Sequence, residues 1–96
     1  MFYLYILYSS KADLYYVGYT DDIARRMVEH NISSEGKFTS KYRPWELKAS
    51  FDVGMNRGVA MKIERHIKKQ RSRSYIEAIL ERKSIDILIK RFSSRG

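Results

Sequence analysis

The chain has no cysteine. Disulfides and thiolate metal sites are thereby excluded, and a reducing, cytoplasmic setting is expected. It also lacks a long apolar run. The apolar stretch at the start falls well short of the roughly 20 residues that a membrane-spanning helix needs. It carries no basic leader and no small-residue cleavage signature, so neither a membrane partner nor a signal peptide is expected. Proline is nearly absent, and the single one, Pro44, lies in a polar connection. No internal repeat and no linker divides the 96 residues. One small domain spanning residues 1–96, with a single core, is the expectation.

Acidic side chains are scarce. Eleven Asp and Glu stand against nineteen Lys and Arg, for a net charge of +8. The imbalance is uneven. Residues 1–61 carry eight basic and seven acidic side chains, and residues 62–96 carry eleven and four. A basic third of a small domain is the electrostatic footprint of a polyanion partner. Charge names the class of partner and says nothing about chemistry.

The stretch Phe2–Asn31, FYLYILYSSKADLYYVGYTDDIARRMVEHN, organises what is present. Two tyrosine-rich strands are expected over residues 2–8 and 14–20, with a hairpin turn from Ser9 to Asp13. Alternation puts Phe2, Leu4, Ile6 and Tyr8 on one face of the first strand and Tyr3, Tyr5 and Leu7 on the other. In the second strand Leu14, Tyr16, Gly18 and Thr20 oppose Tyr15, Val17 and Tyr19. A register pairing Leu7 with Leu14 sets Tyr5 against Tyr16 and Tyr3 against Gly18. On these residues alone, β-propensity accounts for the tyrosines.

Asp21 or Asp22 can cap the helix that follows. Its apolar stripe is Ile23 and Met27, with Ala24 and Val28 beside it. Arg26 and His30, four apart, flank that stripe, while Arg25 and Glu29 point more nearly away. Residues 32–44 form a connection in which Lys37, Phe38, Lys41, Tyr42 and Arg43 interleave basic and aromatic groups, as a nucleic-acid backbone and its bases would suit. A third strand is expected from Trp45 to Val53, with Trp45, Leu47, Ala49, Phe51 and Val53 sharing a face. A helix from about Gly58 to Arg71 buries Val59, Ala60, Ile63 and Ile67. Glu64 lies at the margin of that face, where its ordinary role is an ion pair with Lys68. Ser72 caps a further helix through Tyr75, Ile76, Ile79 and Leu80, and Ser84–Phe92 can add a short one. Ser93–Gly96 should fray.

Tyr3-Leu4-Tyr5, an eleven-residue step to Tyr16-Val17-Gly18, then Thr20-Asp21-Asp22-Ile23, Arg26, His30-Asn31, Glu64 and Lys68 together resemble the GIY-YIG nuclease core. The resemblance covers nearly the whole chain. It is closest to the small stand-alone bacterial branch, which is related to the N-terminal nuclease domain of the excision-repair excinuclease. Three positions depart from the common pattern. Tyr3 stands where the family often has Gly, Tyr19 where several relatives have Lys, and the helix around Tyr75–Ile79 lacks an Asn that some relatives carry near the site.

The resemblance implies an α/β fold, with a central three-stranded antiparallel sheet flanked by helices in the order β-β-α-β-α-α. It implies a metal-dependent endonuclease acting on DNA, in repair or DNA processing, with RNA left open. Tyr5, Tyr16, Arg26, His30 and Glu64 would be catalytic. Glu64 would hold one Mg²⁺, with Mn²⁺ as an alternative. A single carboxylate suits one magnesium that keeps its waters, whereas two metals would need more acidic ligands. Tyr5 or Tyr16 would be the general base or would orient the water, with Tyr5 the preferred of the two. A free phenol titrates near about 10, so this asks for a downward shift worth about 3.4 kcal/mol, which Arg26 and a cation would favour. Arg26 would fork onto the phosphate and His30 would bond the phosphate or the water. Gly18 would keep the backbone open to substrate; otherwise it serves strand twist. Lys37, Lys41, Arg43, Lys68, Lys69, Arg71 and Arg73 are expected along the nucleic acid.

Two other classes compete. One is a non-catalytic nucleic-acid-binding module of the same fold, which would be free to lose one of the five residues. The other is an interaction domain for an acidic protein, which leaves the tyrosine–arginine–glutamate set unexplained. No recognition domain beyond the core is expected. That points to structure preference, or to a protein partner supplying specificity. Oligomeric state is not legible.

Overall fold

Hydrogen bonding between strands decides where the tyrosines go. In the computed structural model, which describes residues 1–32 and 41–93, β1 (Phe2–Ser9) is the central strand of a three-stranded sheet. It pairs antiparallel with β2 (Leu14–Thr20) on one side and β3 (Glu46–Gly54) on the other. Four helices complete the domain: α1 (Ile23–Asn31), α2 (Arg57–Gln70), α3 (Arg73–Arg82) and α4 (Asp86–Ser93). The expected order is met, with α4 added at its end. Expectations placed on Lys37 and Phe38, and on residues 94–96, lie outside the described residues.

The β1–β2 register differs from the expected one by two residues. Leu7 pairs with Tyr16, Tyr5 with Gly18 and Tyr3 with Thr20. The turn explains the shift. Pairing continues to Ser9–Leu14, because Asp13 takes a left-handed conformation (φ 56°) and the Ala12 N–H donates to Ser9 Oγ. A two-residue shift preserves the faces, whereas a one-residue slip would exchange them. Tyr5 and Tyr16 therefore remain on one side as diagonal neighbours, with ring centroids 6.4 Å apart.

In β3 the expected single apolar face is interrupted. Ile6 pairs with Ala49 but Leu7 pairs with Leu47, which leaves Lys48 as the extra residue of a bulge. A bulge sets two residues against one and turns the strand. Phe51 and Val53 face the same side as Leu4, Ile6 and Val17. Trp45, just before the strand, joins Tyr5 and Leu7 on the opposite side. A second irregularity, between Phe2 and Tyr3, lets Val53 stay in the core.

The two sides of the sheet hold different contents. On one side α2 buries Val59, Ala60, Ile63 and Ile67, the four residues expected, together with Ile79 of α3, Ile85 just before α4 and Leu88 of α4. Each fully buried Ile contributes roughly 1.5–3 kcal/mol of transfer free energy. On the other side α1 lays Ile23 and Met27 over Tyr5, Leu7, Tyr16 and Trp45. The helix starts are capped as expected. Asp22 accepts from Arg25 N–H, and Ser72 accepts from Tyr75 N–H. Asn56 caps α2, accepting from Gly58 and Val59.

Candidate active site

Tyr5 lies at the centre of the cluster and is 1 % exposed. Its hydroxyl lies 2.8 Å from His30 Nε2. His30, on the last turn of α1, is itself buried, and its ring meets Tyr5 and Tyr16 edge-on at 5.7 and 5.2 Å. Burial pushes the Tyr5 phenol up to about 12, against the pull of the Arg26 guanidinium beside it. Arg26 pairs with Glu29 one turn along α1. Burial works to lower the Arg26 pKa, but the bonds to Glu29 and Tyr5 hold it above its ordinary value.

Gly18 explains how a phenol fits here. A Cβ at Gly18 would stand 2.5 Å from the Tyr5 Oη and 2.6 Å from its Cζ. The space that glycine leaves is filled by Tyr5. Openness to substrate was the expected reason; accommodation of the opposite tyrosine is the observed one.

Glu64 approaches from α2, and its charge is among those felt at Tyr5. Its side chain is 21 % exposed and lies 3.5 Å from Lys68 Nζ. The same ammonium is 5.0 Å from the Tyr16 ring centroid. The ion pair foreseen from i,i+4 spacing is thus present, and it belongs to the cluster. Tyr16 is half-buried and packs against Trp45 at 6.0 Å.

Two grooves lie beside this cluster, one lined by its Glu64 and the other by its Arg26. One, of about 530 Å³, is lined by Tyr19, Met61, Glu64, Arg65, Lys68, Lys69 and Arg71. The other, of about 410 Å³, includes Tyr19, Arg25, Arg26, Glu29 and Arg57. Among the described residues no three His, Asp or Glu side chains gather as a metal cluster. The donor set is one partly exposed carboxylate on an open, basic groove. That fits a cation held by a single Glu with water and phosphate oxygens around it.

The five expected catalytic residues are thereby brought together. The expected nucleic-acid contacts divide. Lys68, Lys69 and Arg71 line the Glu64 groove. Lys41 is exposed and lines neither groove. Arg43 instead donates from Nε to the His30 carbonyl at 2.7 Å and braces the helix end. Arg73 is held in a clamp, 2.7 Å from Asp13 Oδ1 and 3.1 Å from Glu77 Oε2, tying the hairpin turn to α3. Lys37 lies outside the described residues.

Three contributors were not foreseen. Asn31 accepts from the Trp45 N–H at 2.6 Å and donates to the Trp45 carbonyl at 3.1 Å, which fastens β3 to the end of α1. Trp45 forms a wall of the tyrosine pair only because of the bulge, which alternation does not announce. Glu29, read as pointing away, is the partner of Arg26; its i,i+3 spacing was the available signal.

Residues 1–76 match the model of the GIY-YIG catalytic domain. A UPF0213 protein of Halobacterium salinarum is 38 % identical over 81 residues, covering 82 % of this chain and 99 % of the relative. One of Haloquadratum walsbyi is 38 % identical over 66 residues, covering 69 % and 72 %. One of Listeria welshimeri is 35 % identical over 68 residues, covering 71 % and 74 %. No solved structure matches the chain.

Proposed function

Because the chain belongs to the GIY-YIG family, a nuclease-type family, we propose that it is a divalent-metal-dependent endonuclease hydrolysing phosphodiester bonds in DNA. The observation that carries this reading is the packing of Tyr5 against Tyr16, His30 and Arg26, with Arg26 and Glu64 each lining a neighbouring groove. Phosphodiester hydrolysis needs an aligned water, a proton acceptor and stabilisation of charge at phosphorus.

Each residue has a role in this scheme. Glu64 would hold Mg²⁺ or Mn²⁺, and the ion supplies Lewis-acid stabilisation of the phosphoryl oxygens. Arg26 turns from Glu29 to fork onto the phosphate. Lys68, released from Glu64, adds a second cation. The base must touch solvent, and Tyr5 does not: it is sealed in and pushed up to about 12. The water-activating role is therefore assigned to Tyr16, the other tyrosine of the pair, which is only half-buried. Tyr5 and His30 form the buried hydrogen-bonded pair that positions Tyr16 and Arg26. His30 accordingly acts through Tyr5 and not on the phosphate directly. A repair or DNA-processing role is the biological setting this chemistry suits.

One observation favours the second reading, a binding module without turnover. The Glu64 carboxylate is already matched by Lys68, a pairing that would suit phosphate binding without a cation. Cleavage of labelled single-stranded, duplex and branched DNA, with Mg²⁺, Mn²⁺ or EDTA, decides between them. Wild type should cut only with metal, and Glu64→Gln should bind DNA but not cut. Tyr16→Phe should lose more rate than Tyr5→Phe at unchanged melting temperature. Binding of every substrate with cutting of none establishes the module instead.

A further inference from the structure

Tyr19 is the one residue common to both grooves. It stands on β2 between the Glu64 side and the Arg26 side, next to the glycine that accommodates Tyr5. Its ring is half-buried against the core, so it is rigidly mounted. Among the described residues no hydrogen bond holds its hydroxyl. Phe2, from the adjacent strand, shares the Arg26 groove. The exposed Arg57 guanidinium at the start of α2 lies 4.9 Å from the Phe2 ring centroid and 5.9 Å from that of Tyr19.

A fixed aromatic face, flanked by a guanidinium and set between a lysine- and arginine-lined groove and one whose Arg25, Arg26 and Arg57 outnumber Asp21 and Glu29, has the composition of a nucleobase platform. Basic grooves track phosphates, and aromatic rings stack bases without reading sequence. A ring that served only to fill the core would not need to line both grooves. Its position matters for substrate class. A strand passing from the Lys69–Arg71 side to the Arg25–Arg57 side crosses Tyr19 at the level of Glu64 and Arg26. A base can lie on that ring only if it is free of its complementary strand.

We infer that Tyr19, with Phe2 and Arg57, is a stacking subsite for an unpaired base beside the phosphate held at Glu64 and Arg26, so that the substrate is single-stranded or carries an unpaired overhang or flap there. The inference rests on the nucleic-acid reading of the site and adds a substrate class to it.

The test is an abasic scan by equilibrium binding, using Glu64→Gln protein with Mg²⁺ so that no strand is cut. An oligonucleotide whose register is fixed by a short hairpin duplex at one end, followed by a single-stranded overhang, is made with one abasic position moved along the overhang and a fluorescent adenine analogue at the neighbouring position. The expected result is one position where base removal weakens binding by about 5- to 150-fold, the range for loss of one stacked base. The penalty should persist in Tyr19→Phe, which keeps the ring. It should vanish in Tyr19→Leu, which keeps apolar bulk, with both variants checked for an unchanged melting temperature. If Tyr19→Leu is unfolded, Arg57→Gln and quenching of the analogue in the Tyr19 protein carry the test; quenching should peak at that same position. Equal tolerance of abasic sites everywhere, or a penalty that survives Tyr19→Leu, overturns the platform while DNA binding and cleavage still stand. Absence of binding to any oligonucleotide overturns the platform and the nucleic-acid reading together.

Discussion

Gly18 and Tyr5 occupy one volume between them, and this sets the tolerance of the site at the scale of single residues. In a strand interior, Gly→Ala ordinarily gains about 0.5–1 kcal/mol by restricting the unfolded chain. Here a Cβ would stand 2.5 Å from a buried phenol oxygen, and overpacking of that kind costs about 1–3 kcal/mol. The steric cost exceeds the entropic gain. Gly18→Ala should lower stability by about 1–2 kcal/mol in urea unfolding and reduce activity by displacing Tyr5. Tyr5→Phe should not rescue it, because the ring carbon Cζ is also within 2.6 Å. Tyr5→Leu should restore stability without activity. The same enclosure is why the Tyr5 phenol titrates high. The aromatic pair and Arg26 were legible through the resemblance to the family. That burial seals Tyr5 from solvent was not, because exposure depends on what α1 and Trp45 cover.

At the scale of elements, most of the chain announces itself. The alternation of β1, the four-residue apolar face of α2 and the caps at Asp22 and Ser72 are local patterns, and the fold realises them. The β1–β2 register and the β3 bulge do not follow from local pattern. They depend on how the Asp13 turn closes and on which residue of β3 is left over at Lys48. Asn31 stabilises the consequence of that bulge by bonding both backbone groups of Trp45. Asn31→Ala should cost about 1–3 kcal/mol, because a donor beside a buried indole loses its acceptor. Asn31→Asp keeps that acceptor and should cost less. Chemical denaturation of the two variants, with activity measured alongside, checks the order. Equal losses would mean that the acceptor role is not the important one.

At the scale of the whole molecule, the basic surplus is partly committed to structure. Arg73 is tied to Asp13 and Glu77, and Arg43 to the end of α1, whereas Lys68, Lys69 and Arg71 line the groove that contains Glu64. Neutralising Lys69 and Arg71 to Gln should therefore weaken DNA binding and flatten its salt dependence, by about 0.9 in the log–log slope for each phosphate left without its cation. Arg73→Gln should instead loosen the hairpin against α3 and leave the slope nearly unchanged; equal slopes in all three proteins would place the nucleic acid elsewhere. By itself the sequence determined the kind and order of the elements, the two faces of β1 and β2 and the excess of positive charge, which follow from periodicity, capping and composition; the five central residues were named by the resemblance to a family. Only the tertiary structure decided the register of Tyr5 against Gly18, the bulge that brings Trp45 to the tyrosines, the division of arginines between clamps and groove, and the place of Tyr19 between two grooves. Those depend on packing between segments far apart in the chain, where side-chain fit and the closing of backbone hydrogen bonds select among arrangements that local pattern leaves equal.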